Sequence, residues 1–207
     1  MAVKVIVFDF DGTLVDSNRL KYEAFFELFP RDEFHNRIIK DVLKVFLEES
    51  RYLILKEIMR KIDGKKSQDE EFERRLEELA NRYNTLVLSG AKICEEKPGA
   101  REVLEFLSVR YRLYISSTTP ESALKEIVKY RNWDGIFYDI FGYPRDKSST
   151  LLEIIRRESI SPDEILVVGD GESDRISASN AGCVFFHINS ERCLRKLMRF
   201  LEPVSIN

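Results

Sequence analysis

Two acidic motifs in this chain of 207 residues have the spacing of reacting or metal-binding groups. In Val5-Ile6-Val7-Phe8-Asp9-Phe10-Asp11-Gly12-Thr13-Leu14, an apolar run ends in two aspartates two residues apart, followed at once by Gly-Thr. In Leu166-Val167-Val168-Gly169-Asp170-Gly171-Glu172-Ser173-Asp174, a second apolar run ends in Gly-Asp, with another aspartate four residues on. Continuous apolar runs of this length read as fully buried parallel strands, and ligands of open α/β sheets bind beyond the carboxyl ends of such strands. Carboxylates placed there are costly unless a metal or a reaction uses them. Asp170 and Asp174 would repel each other without a cation, and magnesium takes one or two carboxylates together with waters and phosphate oxygens. Gly12 allows a sharp turn that brings backbone N–H groups close to an anion. The implied chemistry is metal-assisted reaction at an anionic centre.

Five strand-like runs are available to position these groups: Val3–Asp9, Arg112–Ser116, Ile136–Ile140, Ile165–Val168 and Val184–His187. Helical patterns separate most of them, which predicts a doubly wound, mostly parallel α/β sheet. Pro98 is read as the first position of one helix, carrying Val103, Leu104 and Leu107 on one face. Thr119-Pro120 is read as a cap and first turn, and another helix is expected from near Ser148. Ser161-Pro162-Asp163-Glu164 is a capping signature for a short helical turn before a strand. Residues 18–89 hold no convincing strand. Their apolar positions recur at helical spacing from Phe34 to Ile62, including Val45, with Gly64 as a stop and Ser67-Gln68-Asp69-Glu70 opening a further helix. The expected organisation is therefore a core of residues 1–17 and 90–207 with an all-helical insertion, 18–89.

Hydrophobic residues make up 43% of the chain, enough for a real core, and charged residues 33%. The net charge of −3 and a pI near 5.7 point to neither nucleic acid nor an anionic membrane. With no long apolar run, a soluble cytoplasmic protein, monomer or homodimer, is the expectation. Cys94, Cys183 and Cys193 form no CxxC pair and read as reduced thiols used in packing. His35 and His187 read as structural or surface residues.

The Asp9-Phe10-Asp11-Gly12-Thr13 string resembles motif I of the haloacid dehalogenase (HAD) superfamily in its phosphatase form, and the remaining motifs occur in family order. The resemblance spans the chain and is nearest to the phosphoglycolate-phosphatase-like branch, whose helical cap would be the insertion after the first strand. It implies Asp9 as nucleophile and Asp11 as general acid and base, with Gly12 and Thr13 in the phosphate loop. Dehalogenases of the superfamily lack the second acid, so dehalogenation is not expected. Motif II implies a phosphate-binding hydroxyl at Ser117, with Thr118 beside it, or at Ser116 if the strand ends one residue earlier. Motif III implies Lys147, with Arg145 as a competitor. A lysine at a helix start opposes the helix dipole and so needs another reason to be there. Motif IV implies Asp170 as a ligand of Mg2+ with Asp9 and the Asp11 carbonyl, and Asp174 as its partner or an occasional ligand.

The function this implies is magnesium-dependent hydrolysis of a small phosphorylated metabolite through an aspartyl-phosphate. Hinges would lie near Asn18 and Lys92. Arg19, Lys21 and Arg51 are the cap cations that an anionic leaving group would meet, although such charges ordinarily face water. Two alternatives stay open at this point. A β-phosphoglucomutase-like sugar phosphomutase would share Asp9 and Asp11, with Lys21 in the early cap. A catalytically weak module that only binds phosphorylated metabolites would use the fold as a scaffold.

Overall fold

The computed structural model describes residues 3–47, 49–64, 69–189 and 193–201. They form two compact units: residues up to Asp16 together with those from Cys94 onward, and Ser17–Ile93. The junctions thus fall at 16/17 and 93/94, against 17/18 and 89/90 in the sequence reading. The later junction moves because one helix runs unbroken to Ile93.

The first unit holds five strands: β1 (Val5–Phe8), β2 (Arg112–Pro120), β3 (Asp139–Tyr143), β4 (Ile165–Gly169) and β5 (Val184–His187). All pair in parallel, in the order β3-β2-β1-β4-β5. The chain steps outward from β1 to β2 and β3, then crosses back to β4 and β5. The space beyond the ends of β1 and β4 is therefore the topological switch point, where α/β folds hold ligands. Both acidic motifs begin there.

Right-handed crossovers place α5 (Ala100–Ser108) and α6 (Glu121–Tyr130) on one face of the sheet, and α7 (Lys147–Glu158) and α8 (Glu172–Ala181) on the other. The second face is a buried cluster of Val5, Val7, Tyr114, Ile165 and Val167 against Leu151, Ile154, Ala178 and Ala181. A helix α9 (Leu194–Leu201) packs on α5. The expected turn at 162–164 is present with its capping box: Glu164 accepts from the Ser161 N–H at 3.0 Å. The chain leaves and re-enters this unit through one short antiparallel pairing. Asp16 N–H donates to the Glu95 carbonyl at 2.8 Å, and Lys97 N–H to the Leu14 carbonyl at 2.9 Å.

The second unit is four helices: α1 (Asn18–Glu27), α2 (Glu33–Phe46), α3 (Arg51–Ile62) and α4 (Glu70–Ile93). Ile39, Val42, Leu55, Ile58, Met59 and Ala80 are central in its own core. The periodic run from Phe34 to Ile62 breaks at Ser50, whose hydroxyl accepts from the Leu53 N–H at 3.3 Å and starts α3 anew. Val45, one of the apolar positions at helical spacing, is 73% exposed. Ser67 and Gln68 lie outside the described residues; Asp69 caps α4 by accepting from the Phe72 N–H at 2.9 Å.

Four further readings are corrected. β3 lies three residues later than Ile136–Ile140, because Ile136 and Phe137 belong to the turn after Trp133. Phe137 is buried from that turn, so its apolar character records burial and not extended structure. Pro98 precedes α5 rather than opening it; Gly99, at φ +84°, is the cap. Thr119 does not cap α6 either: Pro120 takes that position and Thr119 stays in β2. Cys193 is exposed, against the expectation of packing, whereas Cys94 and Cys183 are half-buried.

Gly169 ends β4 where a Cβ would stand 2.3 Å from Cγ of Asp174. Gly169→Ala is expected to destabilise the protein by about 1–3 kcal/mol through overpacking. Ile58→Ala, fully buried in the helical unit, is expected to cost about 2–5 kcal/mol through transfer and cavity terms. Urea unfolding checks both.

Candidate active site

Beyond β1 the backbone hooks back on itself. Leu14 N–H returns to the Phe10 carbonyl at 2.9 Å and Gly12 N–H reaches the Val15 carbonyl at 2.8 Å. Gly12 sits at φ +79°, which a residue with a Cβ adopts only with strain. Asp9 is tied to β4, its N–H donating to the Val168 carbonyl at 2.8 Å. Asp9 and Asp11 are both buried.

Lys147, the first residue of α7, joins the two acidic motifs. Its Nζ lies 2.8 Å from Asp9 Oδ1 and 2.7 Å from Asp174 Oδ1. These carboxylates supply the reason for a cation at a helix start. Asp146 offsets the remaining cost by capping α7, accepting from the Ser149 N–H at 2.8 Å. Burial alone would depress the Lys147 ammonium, but Asp9 and Asp174 outweigh it and raise its pKa. Burial pushes Asp9 up to about 8; Lys147 opposes this, and Asp174 and Asp11 add to it. Burial also raises Asp174, against the pull of Lys147. Arg145, the competing cation, is instead paired with Glu153.

One carboxylate oxygen each from Asp9, Asp170 and Asp174 lie within 4.8 Å of one another. Asp174 is also fastened by the Gly171 N–H at 3.3 Å, and Asp170 by the Thr13 hydroxyl at 3.1 Å. Lys147 brings one positive charge to three carboxylates, and an all-oxygen cluster suits a hard divalent cation. The donor set therefore fits such an ion.

The end of β2 brings hydroxyls to the second aspartate. Thr119 Oγ1 donates to Asp11 Oδ2 at 2.7 Å and Ser117 Oγ to the same oxygen at 3.3 Å. Thr119 N–H in turn donates to Ser117 Oγ at 3.1 Å. Thr118 is exposed. Ser116 is buried, and Ser117 is the serine that reaches Asp11. Sequence reasoning missed Thr119 because a threonine before proline reads as a cap; its two-residue spacing from Ser117 in an extended strand was the available signal. His187, read as a surface residue, is exposed at the end of β5, with Nε2 3.2 Å from the Asp170 carbonyl oxygen. Arg19 pairs with Glu23 at 2.7 Å, and the Lys21 carbonyl accepts from Tyr83 at 3.2 Å. His35 pairs with Asp32 at 2.7 Å.

Known proteins resemble this chain in sequence and in fold. The chain is 24% identical over 196 residues to a phosphorylated carbohydrates phosphatase of Thermotoga maritima, covering 87% of this chain and 82% of that one. It is 26% identical over 202 residues to a phosphoglycolate phosphatase of Vibrio parahaemolyticus, covering 89% and 82%. The magnesium-bound YfnB of Bacillus subtilis, described as a HAD-hydrolase, shares the fold at a TM-score of 0.73 and 17% identity, over 97% and 99% of the two chains. Residues 6–188 match the family model of haloacid dehalogenase-like hydrolases. The chain belongs to that hydrolase family, as an enzyme with the two-aspartate first motif of its phosphatases.

Proposed function

We propose that this chain is a magnesium-dependent phosphatase of small phosphorylated metabolites that works through an aspartyl-phosphate on Asp9. The observation that carries the reading is Lys147 bridging Asp9 and Asp174, beside a second buried carboxylate, Asp11, held by hydroxyls. Phosphoryl transfer needs little from a protein beyond positioning and charge neutralisation, and both are present.

In this reading Asp9 attacks phosphorus and the bond from phosphorus to the ester oxygen breaks. Asp11 gives its proton to the departing alkoxide. Water then attacks the same phosphorus, passing its proton to Asp11, and the bond to Asp9 breaks to release inorganic phosphate. Lys147 spreads charge from the nucleophile and the phosphoryl oxygens. Ser117 offers its hydroxyl to phosphate, with Gly12, Thr13 and Thr118 in the surrounding loops. Asp9, the Asp11 carbonyl, Asp170 and Asp174 are the candidate ligands of Mg2+, which would offset the repulsion between a carboxylate nucleophile and a phosphate dianion. Residues 17–93 take the place of the family's helical cap. The phosphatase names of the relatives favour net hydrolysis over a mutase. A module that only binds would have no use for the nucleophile–acid pair.

Phosphate release from a panel of small phosphomonoesters is expected to require Mg2+, to vanish in Asp9→Asn, and to need more Mg2+ in Asp170→Ala. Activity in Asp9→Asn near that of the wild-type protein would remove the nucleophile assignment. A second expectation follows from burial. Without a divalent cation, Asp9 binds its proton more tightly in the fold, at about 8, than in the unfolded chain, at 3.8. Its contribution to stability is therefore lost as pH rises through that window, and a cation replaces the proton at the upper end. Mg2+ should raise the Tm more at about pH 8 than at about pH 5, a difference that disappears in Asp170→Ala.

A further inference from the structure

We propose that Thr119 is a positioning residue for Asp11, holding its carboxyl in the orientation from which it delivers and recovers the proton; this rests on the phosphatase reading above. The two hydroxyls on Asp11 Oδ2 are not equivalent. Thr119 is close, at 2.7 Å, and Ser117 is long, at 3.3 Å. A hydroxyl has one proton to give. Ser117 already accepts the Thr119 N–H, so its proton can turn to a phosphate oxygen with its own oxygen still anchored. The Thr119 hydroxyl stays on Asp11 throughout. The division is built into two positions of one strand: Ser117 serves the phosphate and Thr119 serves the acid.

The placement of Thr119 is fixed by its surroundings. Its side chain is β-branched and stiff at χ1, and it is buried at the end of β2. Gly142 of β3 lets the backbone of this segment come close, since a Cβ there would stand 2.5 Å from the Thr119 carbonyl oxygen. With Oδ2 occupied as acceptor from Thr119, the transferable proton of neutral Asp11 resides on Oδ1. Proton transfer to a leaving oxygen depends steeply on such placement.

Kinetics on two esters with magnesium present test this: an alkyl phosphate, whose leaving oxygen needs a proton, and p-nitrophenyl phosphate, whose leaving group does not. In Thr119→Val, kcat for the alkyl ester is expected to fall about 100-fold with KM changed less than about threefold. Thr119→Ser should restore most of the loss. Thr119→Val should still release about one equivalent of p-nitrophenolate per protein in a rapid burst, with the later turnover slowed, because the first step on this ester does not call on Asp11 as an acid while the second needs it as a base. Thr119→Ala serves as the same test should the valine variant not fold. Three results would overturn the role: normal kcat on the alkyl ester in both the valine and alanine variants, loss of the burst, or a serine variant as impaired as valine. If the wild-type protein released phosphate from no ester, the phosphatase reading itself would fall, and this role with it. An active wild-type protein with an indifferent Thr119 would remove this role alone.

Discussion

Charge crowding governs this molecule. Asp9, Asp11, Asp170 and Asp174 converge beyond two adjacent strand ends, and Lys147 is bonded to two of the three buried members, Asp9 and Asp174. Buried like charges are tolerated only when each is bonded and the surplus is neutralised from outside. Much of the local architecture follows from that need. Thr13 attends Asp170, the Gly171 N–H attends Asp174, and the β2 hydroxyls attend Asp11. Gly169 keeps its side undecorated so that Asp174 can approach.

The topology makes the crowding possible. The order of the parallel strands reverses between β1 and β4, and such a point is where open α/β sheets bind ligands. Residues that follow a strand end inherit its rigidity, so Asp9 and Asp170 are held from hydrogen-bonded strands rather than from long loops. Lys147 arrives from the first turn of α7, stiffened by the Asp146 cap. With the β2 hydroxyls, the site is thus assembled from four segments remote in sequence, each anchored at one end by regular structure.

The motifs that announce themselves by composition were legible in the sequence. An acid after a buried apolar run has few structural uses, so Asp9 and Asp170 stood out, and the parallel sheet followed from the runs that carry them. Less legible were features in which the same residue type serves two ends. Thr119 before a proline reads as a cap, yet it bonds to Asp11 from within a strand. Ile136 and Phe137 read as strand, yet bury themselves from a turn. The break between α2 and α3 rests on one serine within an otherwise unbroken helical rhythm. In each case a local pattern was consistent with two backbones, and contacts distant in sequence chose between them.

The short pairing of residues 14–16 with 95–97 has a consequence for how this protein can vary. The helical unit begins and ends at two neighbouring points of a single ladder. Seen from the sheet, everything between Asp16 and Cys94 is topologically a hairpin turn, however long it is. Loop-closure entropy grows only with the logarithm of length. A larger, smaller or wholly different insert could therefore be grafted at this point at little cost to the sheet. The sheet and the inserted unit can thus change at separate rates, joined covalently only where the chain crosses at 16/17 and 93/94, beside that one ladder.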